Sequence, residues 1–281
     1  MIFFMPSTAQ EDWNCFARTN AAQRWRKQSA AMGRHMTQAI VAEARVEPGM
    51  EVLDIACGTG EPAISIASLL QNQGRVVGVD ISPEPLKLAE ERARQRNLTN
   101  IEFHLADAHQ LPFPNHSFDR ITSRLGAMFF SDLPRAFSEM HRVLRPGGRI
   151  TLLVWGPIEQ PYFETTALTV LKAVPGSEVP ERAAAMFQFG KAGLLSRYLR
   201  NAGFLDSEDH LRKVEWSWPG PPEEVWEYFQ QLTIPFRALL QSIPEDMRDV
   251  VNEAVLLEIH KYYDGEQVNF TATACIATGL A

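Results

Sequence analysis

The stretch EVLDIACGTGEP, Glu51 to Pro62, decides the fold. Val52 to Ile55 form a short apolar run that reads as a buried strand. A loop of small residues follows, with glycine at Gly58 and Gly60, and then an apolar segment with helical spacing over about 61–71. Strand, glycine loop and helix in that order open a βαβ unit. Asp54 stands just before the loop. Ala56 occupies the place where a dinucleotide-binding loop would have its first glycine.

The same alternation continues downstream. RVVGVD (75–80) is strand two, and Ser82 with Pro83 starts a helix that runs to about Asn97. IEFHLA (101–106) is strand three. The Pro-rich QLPFPNHS leads to strand four, FDRITSR (118–124). Leu133, Ala136, Phe137, Met140, Val143 and Leu144 share one helix face. The run Arg145-Pro146-Gly147-Gly148 reads as its stop, before strand five at 149–155. Near-continuous apolar strands are expected where both sheet faces are covered, so the fold class is α/β with a doubly wound, mostly parallel sheet.

Upstream, Trp25, Met32, Met36 and Ile40 recur at helical spacing over roughly 20–45. Beyond Trp155 the rhythm changes. Residues 156–190, with Pro157, Pro161, Pro175 and Pro180, read as an irregular excursion. A helix follows at 191–202, then a strand at 208–218 and helical pieces over 221–263 interrupted near Pro235 and Pro244. The closing QVNFTATACIATG is strand-like. The expected layout is a helical cover at 1–47, a core at 48–218 and 266–281, and a helical insertion or lid at 219–265.

Bulk properties narrow the function. The 281 residues are 45% hydrophobic with net charge −7, which does not favour a nucleic-acid partner. Arg92, Arg94 and Arg96 read as a solvated helix face. No transmembrane run occurs, and MIFFMPSTAQ lacks the basic start and long apolar core of a secretory signal; it reads as a frayed end or a small latch. Cys15, Cys57 and Cys275 are odd in number and form no CxxC pair, so a reducing cytoplasm is expected and no metal site.

In an open α/β sheet the ligand binds beyond the carboxyl ends of the strands. Those ends carry Asp54 to Gly60, Asp80, Asp107-Ala108 and Ser123-Arg124. A pyrophosphate would meet Asp54 and Glu61, and Glu61 replaces the third fingerprint glycine. S-adenosylmethionine suits the charges better: it has no phosphate and it carries an ammonium. Asp80, about 20 residues beyond the loop, stands where a strand-two acid accepts from ribose hydroxyls. Asp107 is placed to accept from an adenine amino group. Asp54 either meets the ligand's ammonium or only braces the loop.

VLDIACGTG, VVGVDIS, ADAHQLPFPNHSFD and RVLRPGG, in this order, resemble the class I S-adenosylmethionine-dependent methyltransferases, with the type 11, ubiquinone/menaquinone-biosynthesis-like group nearest. The resemblance covers roughly 45–155. It implies a seven-stranded Rossmann-like sheet. Ala56, Gly58, Thr59 and Gly60 would contact the methionine part of the cofactor, Asp80 the ribose, Ile81 the adenine face, and Asp107 and Ala108 the adenine edge. Ser123, Arg124 and Leu125 would lie beside the methionine moiety and the acceptor. The quinone-pathway enzymes often have a small polar residue at the position of Arg124, a departure that argues against a quinone-precursor acceptor.

The expected activity is methyl transfer to O, N or C of a small apolar or aromatic molecule, by a monomer or homodimer. Arg124 is a candidate for holding a carboxylate or phenolate, and Trp25, Met128 and Phe129, with Phe130, Trp155, Tyr162 and Phe163, are candidates for lining an apolar pocket. The alternatives are a non-catalytic S-adenosylmethionine-binding or partner-binding protein and a macromolecule-directed methyltransferase. No catalytic base stands out among the seven histidines.

Overall fold

The computed structural model describes residues 16–281, with side chains from residue 20 onward. The chain start read as a frayed end, and Cys15, lie outside the described residues. The N-terminal helices are α1 (Phe16–Arg24), α2 (Arg26–Met32) and α3 (Arg34–Ala44). Helical i to i−4 bonds continue through the breaks, from Trp25 N to Ala21 O and from Gly33 N to Ser29 O. Trp25, Met32, Met36 and Ile40 are all buried, as their spacing predicts.

The core alternates as expected. It contains β1 (Glu51–Ile55), α4 (Ala63–Leu70), β2 (Arg75–Asp80), α5 (Pro83–Gln95), β3 (Ile101–Leu105), β4 (Phe118–Arg124), α6 (Leu133–Val143) and β5 (Leu144–Trp155). Three short helices, α7 (Pro161–Thr165), α8 (Ala167–Ala173) and α9 (Glu181–Met186), precede α10 (Leu194–Asn201) and β6 (Leu205–Glu215). The insertion holds α11 (Pro222–Leu232), α12 (Arg237–Gln241) and α13 (Arg248–His260), and β7 (Thr271–Leu280) closes the fold.

The seven strands are ordered β3-β2-β1-β4-β5-β7-β6. Strands β1 to β5 run parallel, and β7 is antiparallel to both β5 and β6. Strand β1 lies between β2 and β4, where the winding reverses. A crevice opens at such a switch point, and the glycine loop empties into it. Among the described residues no helix is long and apolar enough to cross a membrane.

Three elements differ from the sequence reading. The 156–190 stretch is largely helical, because Pro161 stands in the first turn of α7 and Pro180 immediately before α9, where a missing amide proton costs nothing. Strand β5 begins at Leu144, so Arg145 to Gly148 belong to the strand. Backbone bonds tie this run to the other end of the chain: Gly147 N donates to Ala281 O at 2.7 Å and Ala281 N to Gly148 O at 2.9 Å. Strand β6 starts earlier than expected, at Leu205, with an irregularity between Leu205 and Glu208.

Aromatic packing fastens the N-terminal helices to the segment after β6 and to α11. Trp218 lies 5.5 Å from Trp25 and 4.8 Å from Tyr228, centroid to centroid. Trp25 Nε1 donates to Gln231 Oε1 at 2.9 Å, and Arg24 pairs with Glu227 at 2.5 Å. Beneath them Trp155, Tyr162, Phe163, Trp216 and Phe229 form an edge-to-face cluster with centroids 5.0 to 6.2 Å apart.

Candidate functional site

Two carboxylates fix the loop after β1. Asp54 is wholly buried; its Oδ1 accepts from Thr122 Oγ1 at 2.8 Å and its Oδ2 from Ala63 N at 3.1 Å. It therefore ties β1 to β4 and to the start of α4. Burial lifts its carboxyl to about 7, against the lowering pull of those two hydrogen bonds. Asp80, at the end of β2, accepts from Gly58 N at 2.8 Å and from Ser82 N at 2.9 Å. Ser82 heads α5 without a capping bond from its own side chain.

Backbone conformation completes the loop. Gly58 has φ +53, and a Cβ there would meet nothing within 4 Å, so the chain lies open at this point. Gly60 has φ +107, and a Cβ would strike Ile64 Cδ1 at 2.5 Å, so this glycine permits close packing of loop on helix. Ala56 (φ 58) and Leu125 (φ 59) are left-handed without being glycine. Both line the crevice, where such strain concentrates. Arg92 reaches back from α5 and donates to Thr59 O at 2.7 Å and Thr59 Oγ1 at 2.6 Å. The solvated-face reading of Arg92 is thus corrected, while Arg94 is exposed.

The ends of β2 and β3 form one wall. Ile81 (40% exposed) and Leu105 (61%) are bare apolar side chains beside Asp80 and Asp107. Asp107 Oδ1 accepts from His109 N at 2.9 Å and lies 2.5 Å from His109 Nδ1. The other ring nitrogen, Nε2, accepts from Asp132 N at 3.1 Å, which assigns the proton to Nδ1. His109 therefore clamps the β3 loop to the head of α6, with both nitrogens engaged. It is the one histidine on the cleft wall among the described residues.

The cleft holds about 2500 Å³. A drug-sized ligand site holds roughly 300–1,000 Å³, so there is room here for two ligands side by side. Of the residues expected to bind, Ala56, Gly58, Thr59, Asp80, Ile81, Asp107, Ala108, Arg124 and Phe129 line it. Asp54, Gly60 and Ser123 stand behind the wall. Trp25 and Met128 are packed in the core, as are Trp155, Tyr162 and Phe163, while Phe130 does reach the cleft. The side chains that sequence reasoning missed are Gln188, Tyr198, Trp216, Tyr228 and Leu232. They come from α10, the β6 exit, α11 and the segment before α10, whose approach to the strand ends is purely tertiary.

Arg124 ends β4 under α3. Its Nη1 lies 3.4 Å from Gly33 O, and its Nε is sealed from solvent with no partner. Burial holds the guanidinium below its usual value, opposed by the charges of Glu61 and Asp54.

Residues 46–162 match a family model described as a methyltransferase domain. The chain is similar to nocamycin O-methyltransferase of Saccharothrix syringae, 29% identical over 245 residues that cover 83% of this chain and 85% of that protein. It is also similar to demethylmenaquinone methyltransferase of Listeria welshimeri, 34% identical over 46% of this chain. The chain spans about half the length of that relative, 50%. Phosphoethanolamine N-methyltransferase 2 of Haemonchus contortus, solved in complex with S-adenosyl-L-methionine, shares the fold with a TM-score of 0.52 and 21% identity, covering 87% of this chain and 52% of that one.

Proposed function

We propose that the chain is a class I S-adenosylmethionine-dependent methyltransferase of the ubiquinone/menaquinone-like group, and that it methylates O, N or C of a small apolar or aromatic molecule enclosed in the cleft. The observation that carries this reading is the division of the cleft. One half is built from the loop and strand ends; the other is roofed by aromatic side chains from α10, the β6 exit and α11.

The residues present fit the cofactor. Gly58 leaves its backbone bare, which permits close approach of the amino-acid end. Asp80 faces the cleft at the position suited to ribose hydroxyls, and Asp107 at that suited to the adenine amino group. Ile81 and Leu105 offer the exposed apolar surface that a flat base needs. When bound, the cofactor supplies a methyl group already activated on a sulfonium.

The protein's own work is then alignment and drying. Asp54, Asp80 and Arg92 hold the loop rigid, and Phe129, Tyr198, Trp216 and Leu232 orient the acceptor and exclude water. Positioning of this kind supplies roughly 7–11 kcal/mol without a protein nucleophile. Residues 16–47 and 219–265 act as the cover that selects the acceptor. The buried free thiols Cys57 and Cys275 accord with a reducing, cytoplasmic setting.

The test is transfer of labelled methyl from the cofactor to a panel of phenols, quinols, small acids, peptides and RNA. Label is expected in the small organic fraction. Label appearing only in peptide or RNA would overturn the small-molecule reading.

A further inference from the structure

Two buried donors in the cleft have nothing to donate to. Arg124 Nε and Trp216 Nε1 are both shut off from water, and both lack a hydrogen-bond partner. Both side chains belong to the wall of the same cleft. An unsatisfied buried donor is destabilising, more so when charged, so such a pair calls for a ligand. Neither a guanidinium nor an indole N–H can accept, so the missing partner must bring lone pairs. No carboxylate forms a direct ion pair with the guanidinium among the described residues; Glu61 and Asp54 act on it only from farther away, so an anion in the cleft would be its nearest counter-charge.

The surroundings say which anion. Arg124 is overlaid by Gly33, at the joint of α2 and α3, and Tyr228 of α11 lines the same cleft. Both lie outside residues 46–162, the part that matches the methyltransferase domain. Arg124 therefore points the acceptor half of the cleft toward negative charge. A Cβ at Gly33 would stand 3.0 Å from Arg124 Nη1, so glycine leaves the fork its space.

We infer that Arg124, assisted by Trp216, forms an oxyanion-binding site for the acceptor, which carries a carboxylate or an acidic phenol or enol. The inference rests on the methyltransferase reading. A planar fork of N–H donors matches a carboxylate in two parallel hydrogen bonds, which a lysine ammonium does not reproduce. An acceptor bound as its anion needs no proton removed, which agrees with the engagement of both nitrogens of His109.

The full chain saturated with S-adenosylhomocysteine is titrated by calorimetry with benzoate, cinnamate and 1-naphthoate, and with the matching alcohols. The wild type is expected to prefer the acids by about tenfold or more, about 1.4 kcal/mol. Arg124→Gln should abolish the preference while keeping homocysteine-cofactor affinity within about threefold. Arg124→Lys should keep part of it, and Trp216→Phe should weaken it a few-fold. Equal binding of acids and alcohols by the wild type would overturn the site, as would a preference that survives Arg124→Gln. Loss of S-adenosylhomocysteine affinity in Arg124→Gln, with Arg124→Lys unimpaired in folding, would reassign the guanidinium to the cofactor's own carboxylate and sink the acceptor claim. Failure of the wild type to bind S-adenosylhomocysteine at all would remove the methyltransferase premise itself.

Discussion

The floor and the roof of the cleft are built by different physics. On the floor, short polar side chains do the bracing: Asp54 holds Thr122 and Ala63, and Asp80 holds Gly58 and Ser82. In the roof, large rings do it: Trp218 packs against Trp25 and Tyr228, and Phe229 against Tyr162. Hydrogen bonds with fixed lengths hold a loop in one geometry. Ring packing tolerates exchange of shape at similar volume. A floor of the first kind suits a ligand that never changes, and a roof of the second kind suits one that differs between relatives.

Damage to the two halves should therefore separate. Trp218→Ala removes the fully buried ring that joins the cover to α11. It is expected to lower unfolding free energy by roughly 3–5 kcal/mol, checked by urea denaturation. Its S-adenosylhomocysteine affinity at low temperature should stay within a few-fold of wild type. Asp80→Ala should do the reverse. It strips two backbone N–H groups of a charged acceptor and is expected to weaken S-adenosylhomocysteine by roughly 10–100-fold, with a smaller loss of stability.

A pH series sharpens the same contrast. Burial lifts the Asp54 carboxyl to about 7 in the folded chain, above the ordinary 3.8 of an unfolded carboxyl. Between those values the folded state binds the extra proton. This group's contribution to stability is thus fully present below about pH 4, is lost as pH rises to 7, and is flat beyond. Wild type should lose stability over that window relative to Asp54→Asn, measured as the difference in urea midpoint at pH 5 and pH 8. Equal slopes in the two proteins would show that the buried carboxyl is ionised throughout. The smallest effect belongs to Arg92→Ala, which frees Thr59. A loss of roughly 0.5–1.5 kcal/mol in cofactor affinity is expected, with the roof untouched.

The two halves also differ in how far the sequence reveals them. The floor depends on local signals: apolar runs, a glycine loop, and acids at strand ends. Each of β1 to β4 falls within a residue or so of its expected span, and Asp80, Asp107 and Gly58 all reach the cleft wall. Two floor features escaped because they depend on distance in space. Arg92 looks solvated on its own helix and is turned inward only by the loop opposite. His109 looks like any loop histidine until Asp132 is brought to its Nε2.

The roof gives no such signals. Trp25 and Trp216 are both aromatic residues in apolar company, yet one is core and the other lines the cleft. Only the docking of α11 and the exit from β6 decides between them. Prolines misled the reading of 156–190 for a related reason: a proline at a helix start and one in a loop look alike until the backbone around them is known. Asp54, open between ligand contact and bracing in the sequence, has its two oxygens bonded to Thr122 and Ala63 in the fold.

The most direct test of the account is calorimetric titration of S-adenosylhomocysteine into the wild type and Asp80→Ala. One-to-one binding by the wild type, weakened roughly 10–100-fold in the variant, is the predicted result. No binding by the wild type, or equal binding by the two proteins, would contradict the claim that the ends of β1 and β2 hold the cofactor.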